Sequence, residues 1–312
     1  FMFEGTIFST GGYSAEYGQA LSSVLILNTK GLPEDEELNI SLLSVGLDLG
    51  GTKKWKNGAI TATLNHTNLG PYMSIAPQNQ NWEKYPFFNS GAVSIRQKTK
   101  KSGMFKFYSN FGNSKMELNT EDIENNNKLT SYRLNNTNYY TNASWRGILS
   151  EKWMLHTGLS YTNEKDIIDI ESANLNQKTN GGHIKNVFTY FLNEKVKVKL
   201  GGDVFFTNYF QNFSDNSSNN FSEYKETLYS GFVEANIFIS SKFVVRLGGR
   251  MEYGDYLKDA TFSPRLSSAY KLSENSQLSI AYGEFYQNPN EQYMIYSQDL
   301  NQERASQYIA SY

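Results

Sequence analysis

The sequence has 312 residues, with 29 Lys and Arg against 31 Asp and Glu, and a formal charge of −2 selects neither nucleic acid nor an acidic lipid surface as a partner. With no cysteine, disulfides, thiol nucleophiles and thiolate metal centres are excluded, and with no apolar run of about 18 residues so is a membrane-spanning helix. Only 39% of residues are hydrophobic but 15% are aromatic, which suits strands with one apolar and one wet face.

The N-terminal Phe-Met-Phe-Glu-Gly has no basic region followed by an apolar run, so no signal peptide is read there. Residues 11–31 are rich in small residues and stand apart from the strand-patterned remainder of the chain. Leu38, Ile40 and Leu42 share one parity and Val45, Leu47 and Leu49 the other, so two strands joined by a very short loop near Leu43-Ser44 are expected. From Trp55 onward a hairpin unit recurs. Strands of about ten residues alternate apolar and polar positions. Short turns follow at Trp55 to Gly58, Lys98 to Gly103, Gly147 to Lys152, Asn193 to Lys195, Ser240 to Lys242 and Ser273 to Ser276. Long polar loops are expected on the other side, at 67–90, 113–136, 164–180, 208–222, 255–262 and 287–302. This spacing predicts an all-β antiparallel transmembrane barrel wall of about fourteen strands, the last beginning near Gln302. Trp55, Trp145 and Trp153 all sit beside short turns, as a periplasmic aromatic girdle requires.

Residues 11–31 read Gly-Gly-Tyr-Ser-Ala-Glu-Tyr-Gly-Gln-Ala-Leu-Ser-Ser-Val-Leu-Ile-Leu-Asn-Thr-Lys-Gly. Tyr17, Gly18, the small residues, the strand Val24 to Leu27, and Thr29 with Lys30 resemble the end of the plug domain of TonB-dependent outer-membrane receptors. Ser22-Ser23 replaces the usual Gly-Gly. Gly248 to Tyr253, Ser263-Pro264-Arg265-Leu266 and Ala281 to Gln287 resemble barrel segments of that family, in versions typical of Bacteroidetes. The resemblance implies a barrel of about 22 strands around a plug. The division it implies is a plug ending at 1–31 and the first part of the barrel at 32–312, an internal piece of a longer receptor. It further implies an outer-membrane location, a TonB-type energy-transducing partner engaged upstream, and a small nutrient ligand. A ferric siderophore or similar chelate leads, with cobalamin, haem, glycan or peptide as alternatives and a passive porin as the rival reading.

Strand parity assigns Arg96, Lys98, Arg146, Lys197, Lys199, Asp203, Glu234, Arg246, Arg250, Glu252, Arg265 and Lys271 to the lumen, because a charge facing mid-membrane lipid costs ~2–4 kcal/mol. Glu234, Arg250, Glu252 and Arg265 are the best candidates for a network facing the plug. Aromatic side chains near the loops can stack on a flat chelate, and Tyr adds a hydroxyl donor. The candidates are Tyr72, Trp82, Tyr85, Phe87, Phe88, Tyr209, Phe210, Tyr286 and Tyr293. The acidic groups Glu34 to Glu37, Glu121-Asp122-Glu124 and Asp166, Asp169, Glu171 lack a calcium-loop pattern. His66, His156 and His183 lack ligand or catalytic spacing. No cofactor, metal site, enzyme motif or nucleic-acid motif is expected.

Overall fold

A computed structural model describes residues 2–9, 11–76, 80–100, 102–122 and 128–312. Two antiparallel sheets are formed. The small one pairs β1 (Phe3–Ser9) with β2 (Val24–Thr29). The large one is a meander of fourteen strands, each bonded only to its neighbours in sequence. In order they are β3 (Glu37–Leu43), β4 (Gly46–Trp55), β5 (Gly58–Asn68), β6 (Asn81–Lys98), β7 (Met104–Asp122), β8 (Lys128–Ser150) and β9 (Trp153–Ile170). Then come β10 (Ala173–Phe191), β11 (Val196–Ser214), β12 (Asn219–Phe238), β13 (Phe243–Gly254), β14 (Asp259–Lys271), β15 (Gln277–Gln287) and β16 (Glu303–Ser311). β3 and β16 are the two edges and do not pair, so the sheet is curved but not closed. The single turns α1 (Gly70–Met73) and α2 (Glu291–Met294) lie in the connections before β6 and β16. Among the described residues no helix is long and apolar enough to cross a membrane.

The expected periplasmic turns are found. At one end of β4 Leu43 pairs with Gly46 across the very short loop expected there, and at the opposite end Trp55 pairs with Gly58 across the first of those turns. Trp55, Trp145 and Trp153 lie at that same turn-bearing end of β4, β8 and β9, and two of their indoles are anchored there. Trp55 Nε1 donates to Gln97 Oε1 at 2.8 Å, and Trp145 Nε1 to Thr99 Oγ1 at 3.0 Å.

The long polar loops are not found as such. Strands β6 to β12 are 18 to 23 residues long, not about ten, and continue through most of 113–136, 164–180 and 208–222. Tight turns close them, as at Glu171-Ser172 and Asp215 to Ser218. In the large sheet, long connections among the described residues remain before β6 and at 288–302. The cause is chemical: above the membrane both strand faces meet water, so the ladder continues without an apolar face to announce it. Arg133 opposite Glu117, and Asn135 opposite Lys115, are in register in such a stretch.

Burial follows parity. Along β12, Tyr224, Glu226, Leu228, Phe232, Glu234 and Asn236 are buried on the concave face, while Tyr229 and Val233 are exposed on the convex one. Leu247, Met251, Phe262, Leu266 and Ile280 continue the exposed apolar belt. Leu247 is 57% exposed near the middle of β13, with Arg246 facing inward beside it. Leu247→Arg is expected to cost ~2–4 kcal/mol in a bilayer, against less than about 1 kcal/mol for Leu247→Ile. Urea titration of the refolded full-length protein in lipid checks this, and equal midpoints for the two variants would refute the lipid-facing assignment.

Candidate functional site

The concave face holds residues 11–31 through groups that the fold brings from strands between β6 and β16. Arg250 on β13 is 1% exposed and sits at the centre. Its guanidinium donates to Asp203 Oδ2 at 2.8 Å, Glu252 Oε1 at 2.9 Å and Ser230 Oγ at 2.8 Å. Asp203 also meets His183 at 2.9 Å and Lys185 at 3.3 Å. Glu234 accepts from the Ala15 backbone N–H at 2.9 Å and faces Arg246 at 3.6 Å. Arg265 donates to the carbonyls of Tyr13 and Ser14, and its guanidinium lies 4.6 Å from the ring centres of both Tyr13 and Phe285. Such a planar cation is suited to donating in its plane while stacking through its face. Burial pushes the Tyr13 phenol up to about 12, so it stays a neutral donor.

The N-terminal segment answers in kind. Glu16 pairs with Lys199 at 2.6 Å, and its carbonyl accepts from Lys185 at 2.6 Å. The ring of Tyr17 lies under the Lys185 ammonium at 4.8 Å. Gly18 passes so close that a Cβ would sit 2.3 Å from Arg250 Nε and from Glu252 Oε1, which explains the glycine. Gln19 bridges two layers: its amide donates to Glu252 Oε2 at 3.3 Å and its oxygen accepts from Asn288 N at 3.0 Å. Further down, the carbonyls of Thr29 and Gly31 accept from Lys106 at 2.7 Å and Arg96 at 3.2 Å, while the Lys30 side chain is exposed.

The four-residue network expected from parity therefore divides into three anchors, around Arg250–Glu252, Glu234 and Arg265. Asp203, Lys185 and Glu16 complete them. Lys98 and Lys271 are the last residues of β6 and β14, at the turn-bearing rim, and both are exposed. Arg146 lines a cavity of about 540 Å³ between β2 and strands β7 to β10, together with Lys106, His156 and Lys185. This lower cavity is basic.

The aromatic candidates do not form one cluster. Tyr209 is buried with Tyr224 and Met294, where α2 folds back into the lumen. Its neighbour Phe210 points to the opposite face, against Phe221 at 4.8 Å. Tyr286 is also convex, beside Arg304, because Phe285 takes the inward position. Phe87 and Phe88 are adjacent in β6 and take opposite faces, with Phe88 sharing the parity of the inward Arg96. Trp82 and Tyr85 lie at the upper end of β6, half-buried, where the register shifts. Tyr72 and Tyr293 are exposed on α1 and α2. Among the described residues no group of His, Asp and Glu could hold a metal ion. Glu124 lies outside the described residues, as do the side chains of Glu121 and Asp122.

Parity alone did not single out a second cavity of about 570 Å³, between Gln19 and the turn of α2. Glu226, on the inward face of β12, lines it together with Asn288, Glu291 and Glu303. Extending the β12 alternation upward from Glu234 would have found Glu226.

Residues 38–312 match the family model described as "TonB dependent receptor-like, beta-barrel". Among solved structures, the chain is similar to the FrpB iron transporter from Neisseria meningitidis, with a TM-score of 0.70 at 11% identity, covering 98% of this chain and 58% of that one. It is also similar to Pseudomonas aeruginosa FpvA bound to ferric pyoverdine (0.68, 10% identity, 93% and 47%). The FyuA ferric yersiniabactin uptake receptor from Yersinia pestis gives 0.65 at 10% identity, covering 92% and 52%. At these identities the likeness is one of fold, and the chain spans about half the length of the receptors it matches. No curated protein matches the sequence.

Proposed function

The chain belongs to the TonB-dependent receptor-like β-barrel family, and on that footing we propose that the protein is a receptor for active uptake of a scarce nutrient, foremost a ferric siderophore or similar chelate. The barrel is an outer-membrane one. Residues 1–31 are the end of a plug and residues 32–312 the first part of the barrel wall, in the Bacteroidetes version of the family. A TonB-type complex engages a segment N-terminal to this one and supplies the energy.

The observation that carries the reading is the set of buried anchors from the wall to residues 13–19. A passive porin leaves its lumen open, whereas here Arg265, Glu234 and Lys199 grip a segment crossing it. These contacts are charge-assisted and desolvated, so they are strong when intact and costly to break singly. Three separate anchors can release in sequence, which suits a plug that is pulled aside and returns.

The test is uptake of radioactive iron chelates by iron-starved cells that depend on the full-length protein. Uptake is expected to fall to background when the TonB gene is deleted. Uptake that persists without TonB favours the porin.

A further inference from the structure

The upper cavity holds an anomaly. Glu226 is 7% exposed, and its Oε2 accepts from Asn288 Nδ2 at 2.6 Å. Its Oε1 is buried with no hydrogen-bond partner, and the same is true of Asn288 Oδ1. The Asn288 amide cannot be turned to help, because its nitrogen already donates to Glu226. Two acceptor oxygens of one bonded pair therefore stand without donors. Gly254 preserves the space: a Cβ there would come 2.6 Å from Glu226 Oε1.

Nor does a cation compensate. Among the described residues no Lys, Arg or His forms an ion pair with Glu226, Glu291 or Glu303, and Asp255 adds a further negative charge near Glu226. Burial, and after it the charge of Glu164, raise the Glu291 carboxyl, as expected of a carboxylate without a counter-ion. A buried acceptor left unpaired is destabilising, and more so when charged. Such a cost is retained where a ligand supplies the missing donor.

We propose that this cavity binds the cationic amine end of a small ligand, which donates to Glu226 Oε1 and Asn288 Oδ1. The assignment rests on the receptor reading above and narrows its cargo to chelates or other nutrients carrying a free ammonium group. An ammonium has three donors and no acceptor, matching the two buried acceptor oxygens that stand unpaired here. Phe205 and Tyr224 line the same cavity and present the aromatic surface that a desolvated cation favours. A calcium ion is a poorer fit, since it takes six to eight oxygens. The volume lies within the range of about 300–1,000 Å³ common for small-molecule sites. The basic lower cavity makes the lumen electrically graded, so an ammonium is drawn to the mouth and not to the base.

The test uses the full-length protein in detergent and 1,5-diaminopentane as probe, read by calorimetry, with 1,5-pentanediol as the uncharged control. Saturable binding of the diamine and not the diol is expected. Glu226→Gln should weaken it at least tenfold without lowering the melting temperature. Gly254→Ala, which keeps the charge and fills the space, should weaken it as well. No saturable diamine binding, or equal affinity in wild type and Glu226→Gln, overturns the proposal. Iron-chelate uptake is read separately: if it is absent while diamine binding persists and depends on Glu226, the chelate reading falls and the amine site stands.

Discussion

Replacing Arg250 with methionine is expected to destabilise the full-length barrel by about 3–5 kcal/mol, the cost of leaving buried charges without their partner. The loss should not fall evenly. Asp203 keeps His183 and Lys185 after the change. Glu252 keeps only the amide of Gln19 at 3.3 Å. The second substitution Glu252→Gln should therefore restore more stability than Asp203→Asn, even though both remove one negative charge. Equilibrium unfolding in urea of the four refolded proteins measures this. A cost below about 1 kcal/mol for Arg250→Met, or equal rescue by the two second changes, would refute the centrality of this guanidinium.

The second large effect concerns Gly18. A valine there places a Cβ 2.3 Å from Arg250 Nε and Glu252 Oε1, and both acceptor and donor belong to side chains buried at 3% exposure or less. Neither can retreat without breaking its own ion pair. Overpacking of this kind typically costs ~1–3 kcal/mol. Because the segment is held by discrete side-chain anchors on the concave face and not threaded through a core, the expected response is detachment of residues 11–23 from the wall. In planar bilayers, Gly18→Val should raise the ion conductance of the full-length protein several-fold. Gly5→Ala, which meets nothing within 4 Å, is the matched control and should leave conductance unchanged. Conductance equal to wild type in Gly18→Val would mean that the segment tolerates the bulk.

The wall was legible in the sequence wherever one face meets lipid. Val233 and Leu247 against Glu234 and Arg246 force a single register, since a one-residue slip would drive charges into hydrocarbon. The same logic fails above the membrane. Asn135, Asn136 and Thr137 gain little from facing either way, so nothing marks their strand, and 113–136 reads as loop. The site was legible as a set of inward charges but not as pairs. Asp203 and Arg250 are 47 residues apart, and only the register of β11 on β12 and of β12 on β13 brings them together. Aromatic candidates were the least legible. Phe210 and Tyr286 carry the right chemistry, yet Tyr209 and Phe285 beside them take the inward positions. Adjacent residues on a strand compete for one face, and composition cannot say which wins.

The long strands bear on how a ligand is held. At ~3.3 Å per residue, the 23 residues of β8 reach far beyond an apolar band of ~25 Å, and with a tilt of ~40° the wall rises roughly 30 Å above the lipid. That upper wall is a continuous hydrogen-bonded ladder, closed by tight turns at Glu171-Ser172 and at Asp215 to Ser218. Ordering a flexible backbone costs ~1–2 kcal/mol per residue, and a binder made of floppy loops meets that cost each time it closes on its target. Here the part of the mouth formed by the described strands is ordered when the wall folds. On the receptor reading proposed above, the shape of this part of the mouth is set before any nutrient arrives, so capture there draws on contact energy with little entropic penalty and does not wait on loop closure.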